Sequence, residues 1–177
     1  VTPIELPQRL SEGGVVLRRL REDDAAAYAG AFRDDAELGR LLGTDEDPDE
    51  KSVRERLGRT SELAVADPET DAFWGTVILH SYDKRHRRCE VGFWLIPAAR
   101  GRGVGSAAVL LIVSWAMREL DLLRVEMTTT PDNAGVDALA ARLGFTREGV
   151  LRKRNVERGQ RVDVVWYGVL REEWPRG

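Results

Sequence analysis

Runs of apolar residues in this chain are short, bounded by turn-forming residues, and interleaved with stretches of helical period. Residues 15–20 (VVLRRL) read as a first strand, and 21–35 (REDDAAAYAGAFRDD) as a helix with an acidic first turn and Asp23 or Asp24 as its cap. The acidic, turn-forming stretch 43–50 (GTDEDPDE) places Pro48 to open a second helix over 49–63, charged on most faces and therefore at the surface. Two strands, 62–67 (ELAVAD) and 71–82 (DAFWGTVILHSY), follow around the turn DPETD, and 88–97 (RCEVGFWLIP) adds a third after the basic turn DKRHRR, making a meander. Residues 103–120 form a helix apolar on nearly all sides, hence buried against a sheet. Residues 122–130 (LLRVEMTTT) are a strand, 133–144 (NAGVDALAARLG) a short helix closed by Gly144, and 145–170 a hairpin around the turn ERGQ. A strand, a long buried helix and a second strand in succession predict a crossover, with strands 88–97 and 122–130 parallel in a mixed sheet.

Composition narrows the class. At 177 residues and 19.8 kDa the chain makes one domain, 1–177, with 1–14 expected as a loose N-terminal arm. The net charge of -3 is spread along the chain, which argues against nucleic acid or an anionic membrane as the main partner. The lone Cys89 excludes an internal disulfide and a cysteine-based metal site, so a reducing, cytoplasmic setting is expected. The N-terminal stretch has prolines and charges where a signal peptide needs an apolar core, and the most apolar segment, 104–117, falls short of the roughly 18 residues of a membrane span.

The segment 96–109 (IPAARGRGVGSAAV) carries the most specific chemistry. Glycines between a strand and a helix N-terminus let backbone N–H groups approach a phosphate, which the helix dipole also favours. Arg100 and Arg102 could add charge-assisted hydrogen bonds. The segment lacks the Gly-Lys-Ser/Thr of nucleotide triphosphatases, and its glycine spacing does not match the dinucleotide fingerprint. A plain Arg/Gly-rich surface turn is the competing reading.

Arg100-x-x-Gly103-x-Gly105 after a strand resembles the acyl-CoA pyrophosphate loop of the GNAT superfamily of N-acetyltransferases. The stretches LRRLREDDAAAY, EVGFWLIPAARGRGVGSAAV, RVEMTTTPDNAGVDALAARLGFTREGVLR and DVVWYGVLREEW are similar, in the same order, to its RimJ/RimL branch, over about residues 17–174. The resemblance implies an α/β (α+β) fold: a mixed, mostly antiparallel sheet of about seven strands, with two splayed parallel central strands flanked by helices. It implies acetyl-CoA as co-substrate and no metal. The pyrophosphate would rest on Arg100, Gly101, Arg102, Gly103, Val104, Gly105 and Ser106, and the pantetheine arm along free amides of Trp94, Leu95 and Ile96, with Asn133 bonding the arm. One of those strand amides would polarise the thioester carbonyl. Asn133 also reads as a helix cap. The chain departs from the family at Val136, where serine is usual, and at Thr128 and Ala140, where other branches carry a glutamate and an acid tyrosine.

Acyl transfer to an amine needs a proton acceptor near the amine and a weak acid near the sulfur. By resemblance Glu90 is the first candidate base and Glu126 the second; the competing readings are a strand residue paired with Arg87 or Arg88, and a cross-strand ion pair. Tyr167 lines the pocket or belongs to the core, His80 and His86 have a suitable residue type, and Cys89 reads as a buried inert thiol. The expected reaction is transfer of acetyl from acetyl-CoA to a primary amine, a protein N-terminus or a small molecule, by direct attack in a ternary complex. A catalytically silent acyl-CoA-binding module, or a transferase of a longer group such as succinyl, is the alternative. Family members often dimerise. Basic turns could give RNA an accessory role, and the acidic stretch 43–50 could attract a cationic acceptor.

Overall fold

In the computed structural model, residues 4–42, 46–58 and 61–174 are described. Eight strands form one sheet in the order β1-β2-β3-β4-β5-β6-β8-β7. The strands are β1 (Arg9–Glu12), β2 (Val15–Arg19), β3 (Glu62–Ala66), β4 (Phe73–Asp83), β5 (Arg88–Leu95), β6 (Arg124–Thr129), β7 (Thr146–Glu157) and β8 (Gln160–Leu170). The helices are α1 (Asp24–Asp34), α2 (Ala36–Leu41), α3 (Glu50–Arg56), α4 (Val104–Glu119) and α5 (Ala134–Leu143). Every neighbouring pair is antiparallel except β5 and β6, which α4 connects as the expected crossover.

The sheet separates two apolar layers. Leu17, Leu63, Val65, Val77, Leu79, Val91, Val125 and Met127 point to one face, where α4 supplies Ala108, Val109, Ile112, Val113 and Ala116 and α5 supplies Leu139, Ala140 and Leu143. Alternation sends Ala64 and Trp94 to the other face, where Phe73 joins them across the register shift between β3 and β4 at Val65/Ala66, against Tyr28 and Phe32 of α1, Leu38 of α2 and Val53 of α3. The rings of Tyr28, Phe32 and Phe73 surround Trp94 at centroid distances of 4.9, 5.3 and 5.7 Å. No helix among the described residues is long and apolar enough to cross a membrane.

Three expectations change. The arm over 1–14 is held from Leu6 onward: Leu6 is buried, and Arg9–Glu12 pairs with β2 to make the eighth strand. The helix expected over 49–63 covers only Glu50–Arg56, because Leu57 turns extended and Glu62–Ala66 is claimed by a central, wholly buried strand; residues 59–60 lie outside the described residues. A short helix, α2, intervenes, capped by the Asp35 side chain accepting from the Glu37 N–H at 3.2 Å. Of the acidic stretch, residues 43–45 lie outside the described residues.

Candidate active site

Strands β5 and β6 pair only at Arg88 with Arg124, Cys89 with Val125 and Glu90 with Glu126. Beyond that point both continue as strands, β5 to Leu95 against β4 and β6 to Thr129 against β8, but no longer against each other. The central sheet therefore opens into a V whose inner edges have unpaired backbone groups, an arrangement that invites a strand-like ligand. On the α4 and α5 side, a cavity of about 420 Å³ fills the V; Phe93, Trp94, Leu95, Gly103, Ser106 and Asn133 are among its lining residues. On the α1 and α3 side lies a second cavity, of about 700 Å³. Val91, Gly92, Phe93, Trp94, Thr128 and Thr129 line both, so the two spaces meet through the split.

At the mouth of the first cavity, α4 begins with Gly103 in the left-handed region at φ 81° and without a side-chain cap. Among the described residues, no acceptor takes the N–H groups of Val104, Gly105 and Ser106; the first helical bond runs from Ala107 to the Gly103 carbonyl. Uncapped first-turn amides at the positive end of a sixteen-residue helix fit a phosphate. Gly105 keeps α4 close to the V: a Cβ there would lie 3.1 Å from the Phe93 ring and 3.4 Å from Leu139.

The other residues expected to hold the co-substrate divide. Asn133 lines the cavity and caps α5, its side chain accepting from the Val136 N–H at 3.3 Å. The amides of Trp94, Leu95 and Ile96 are not all free. Ile96 N–H donates to the Trp74 carbonyl at 2.8 Å, and since amides alternate along a strand, Trp94 N–H faces the same neighbour. Leu95 N–H, and Phe93 N–H two residues back, face the V. Arg100 lines the cavity but spends its donors on protein: Nε reaches the Leu95 carbonyl at 2.9 Å and an η nitrogen the Asp35 carboxylate at 2.5 Å. Arg102 lies over the Trp74 ring, 5.2 Å from its centroid, and is not among the lining residues. Val104 and Ile96 also lie outside that lining. A cation that sequence reasoning passed over is Arg142, in the last turn of α5, which lines the cavity with no ion-pair partner among the described residues. Its position reads locally as a favourable helix C-terminal charge, so nothing in the sequence marked it out.

Glu90 and Glu126, paired across the parallel strands, have different surroundings. Glu126 is gripped by Arg88 at 2.9 Å and Arg124 at 2.8 Å and lines neither cavity, which matches the ion-pair reading and not that of a base. Among the described residues Glu90 has no arginine: Arg88 goes to Glu126 and Asp83, and Arg87 to Asp121. The Glu90 side chain is 13 % exposed in the second cavity, accepts from Thr128 Oγ1 at 2.5 Å and lies 3.8 Å from His80 Nδ1. Thr128, where other branches carry a glutamate, thus orients the carboxylate. Tyr167 belongs to the core and donates to Asp137. Its hydroxyl pKa is raised by burial and then by the Asp137 bond. Burial, reinforced by Glu126 and Glu90, pushes the Cys89 thiol up to about 12. His86 sits in the exposed turn, 2.7 Å from Asp83 and away from both cavities.

Comparison with known proteins agrees with this geometry. The family profile described as the Acetyltransferase (GNAT) domain matches residues 15–146. A Bacillus subtilis protein provisionally named ribosomal N-acetyltransferase YdaF is 33 % identical over 100 residues, covering 56 % of this chain and 55 % of that protein, so the match spans little more than half of this relative. The uncharacterized N-acetyltransferase YoaA of the same species is 26 % identical over 169 residues, covering 89 % of this chain and 93 % of that one. Among solved structures, Mycobacterium smegmatis RimJ in complex with CoA-disulfide superposes with a TM-score of 0.77 at 23 % identity, over 91 % of this chain and 84 % of that one, which is a likeness of fold. With the profile spanning most of the sheet, and the opened β5–β6 pair leading to the uncapped helix α4, the chain belongs to the GNAT acetyltransferase family.

Proposed function

We propose that this protein is an acetyl-CoA-dependent N-acetyltransferase that acetylates a primary amine by direct transfer in a ternary complex, with Glu90 as the general base. The observation that carries the reading is the pair of cavities on opposite faces of the sheet, joined where β5 and β6 part, with Glu90 on the wall of one and the α4 N-terminus at the mouth of the other. Donor and acceptor can then approach from opposite faces and meet in the split, which is what direct transfer requires.

The amides of Val104, Gly105 and Ser106 would hold the pyrophosphate, Leu95 and Phe93 the pantetheine arm, and Asn133 and Arg142 the rim of the donor cavity. When bound, acetyl-CoA supplies an acyl carbon activated by its thioester, with a thiolate as leaving group. Glu90 takes the proton that an ammonium must lose before its nitrogen can attack, and Thr128 and His80 keep the carboxylate oriented toward the acceptor. Of the two strand amides, Phe93 N–H, nearer the split, donates toward the carbonyl oxygen as it gains charge.

The test is thiol release from acetyl-CoA across N-terminal peptides, polyamines and amino sugars. Release with one class identifies the acceptor, and Glu90→Gln is expected to lower kcat by about 10²- to 10⁴-fold while leaving acetyl-CoA affinity within about twofold. Acetyl-CoA binding without release to any amine would overturn the transferase reading.

A further inference from the structure

Among the described residues three carboxylates are buried: Asp24, Glu126 and Glu62. Burying a carboxylate without a compensating cation is costly. Asp24 is met by Arg18 at 2.7 Å and Glu126 by two arginines. Glu62, 7 % exposed, has no arginine or lysine within ion-pair distance among the described residues; its partner there is a neutral donor, the Tyr28 hydroxyl, at 3.1 Å. Burial and Glu62 push that hydroxyl up to about 12, so it stays protonated and donating. Arg56 on α3 is exposed, lies over the Tyr28 ring 5.3 Å from its centroid and opposes the rise at the Tyr28 hydroxyl, so this cation acts on Tyr28 and makes no ion pair with Glu62.

Glu62 lines the same cavity as Glu90. Register puts them on one face: Glu62 pairs with Ile78, Ile78 with Gly92, and Glu90 is two residues from Gly92 along β5. Two interstrand steps of about 4.8 Å and two residues of about 3.4 Å separate their Cα atoms by about 12 Å. Gly92, without a side chain, lets Ile78 settle against it, a Cβ there lying 3.1 Å from Ile78 Cγ2, so the floor between the two carboxylates is apolar. Of the cavity's other charged residues, Arg56, Arg154 and Glu46 are exposed and Glu157 is half-buried, whereas Glu62 and Glu90 are on the floor.

We infer that Glu62 is the acceptor-specificity residue: it binds a second cationic group on the acceptor while Glu90 faces the reacting amine, so the preferred acceptor is a dication such as a diamine. This rests on the transferase reading for the role of Glu90, but the binding it describes can be measured without turnover.

The experiment is calorimetric titration of the protein, with and without CoA, using α,ω-diaminobutane, -hexane and -octane and the matching monoalkylamines. The best diamine is expected to bind about 10- to 100-fold tighter than its monoamine, the range of a hydrogen bond to a charged group, with an optimum in chain length. Glu62→Gln should bring the ratio to within about twofold of one, and Glu62→Asp should retain a preference and move the optimum to a longer diamine. Thermal unfolding of each variant reports folding. Equal diamine and monoamine affinities in the wild type, identical behaviour of the Asp and Gln variants, or tighter binding of an α-amino acid at the exposed arginines would each overturn the inference. Failure of the transferase reading registers separately, as absent thiol release or absent CoA binding.

Discussion

Glu90 and Glu126 are the same residue type at directly paired positions, and their neighbours set them to different tasks. Glu126 is locked by Arg88 and Arg124, so its loss should appear in stability and not in chemistry. Glu126→Gln removes the carboxylate shared by the two guanidinium groups, while Arg88 keeps Asp83 and Arg124 keeps Glu148, and is expected to destabilise the fold by about 2 kcal/mol, read as a lower urea midpoint with kcat little changed. Cys89 allows a second test at this scale. With its thiol pushed up to about 12 by burial, reinforced by both glutamates, the thiolate is scarce at neutral pH. Folded protein should therefore resist alkylation by iodoacetamide up to about pH 9 and react at once in denaturant. Nothing in residue type distinguished the two glutamates: which one meets an arginine depends on where the strands diverge.

At the scale of elements, the strand β5, the glycine turn and helix α4 act as one unit, and Arg100 ties it down. Its bonds to the Leu95 carbonyl and to Asp35, the cap of α2, brace the loop against α2. A lysine ammonium is a single compact point and does not span two acceptors held by separate nitrogens of the planar guanidinium. Arg100→Lys and Asp35→Asn should each raise the acetyl-CoA KM several-fold, and the double variant should be no worse than either alone, a coupling measured by a double-mutant cycle. If Arg100 acted only as a phosphate charge, Arg100→Lys would largely preserve KM and Asp35→Asn would leave it alone. The loop's existence and position were legible in the glycine pattern between an apolar strand and an apolar helix. The partners of its arginines were not, because they come from α2 and from a carbonyl five residues back, and side-chain reach around a turn leaves no periodic trace.

For the whole molecule, the sheet binds its C-terminal hairpin to the centre through Arg124, which pairs with Glu126 on its own strand and Glu148 on β7. The Arg124 guanidinium holds the Glu148 carboxyl below its usual 4.5. A carboxyl depressed in the folded state contributes stability that is complete above the unfolded value and is lost as pH falls through the folded value. Wild-type protein should thus lose stability below about pH 4.5 more steeply than Glu148→Gln, measured by urea unfolding across that range, with a smaller difference at high salt because Glu148 is part-exposed. The sequence by itself determined the order of the strands from β2 to β8 and of α1, α3, α4 and α5, without α2, together with the buried crossover helix, the parallel pair and the glycine turn, because each follows from apolar period and local turn chemistry acting within a few residues. It overextended the second helix, since helical propensity there yields to burial of β3, and it treated the first residues as loose although they add an edge strand. Only the tertiary structure decided where β5 and β6 separate, which amides and which glutamate face the opening, and that Glu62 and Glu90 share a cavity. Those properties depend on contacts between segments distant in sequence, whose pairing is set by packing of the whole sheet rather than by any local signal.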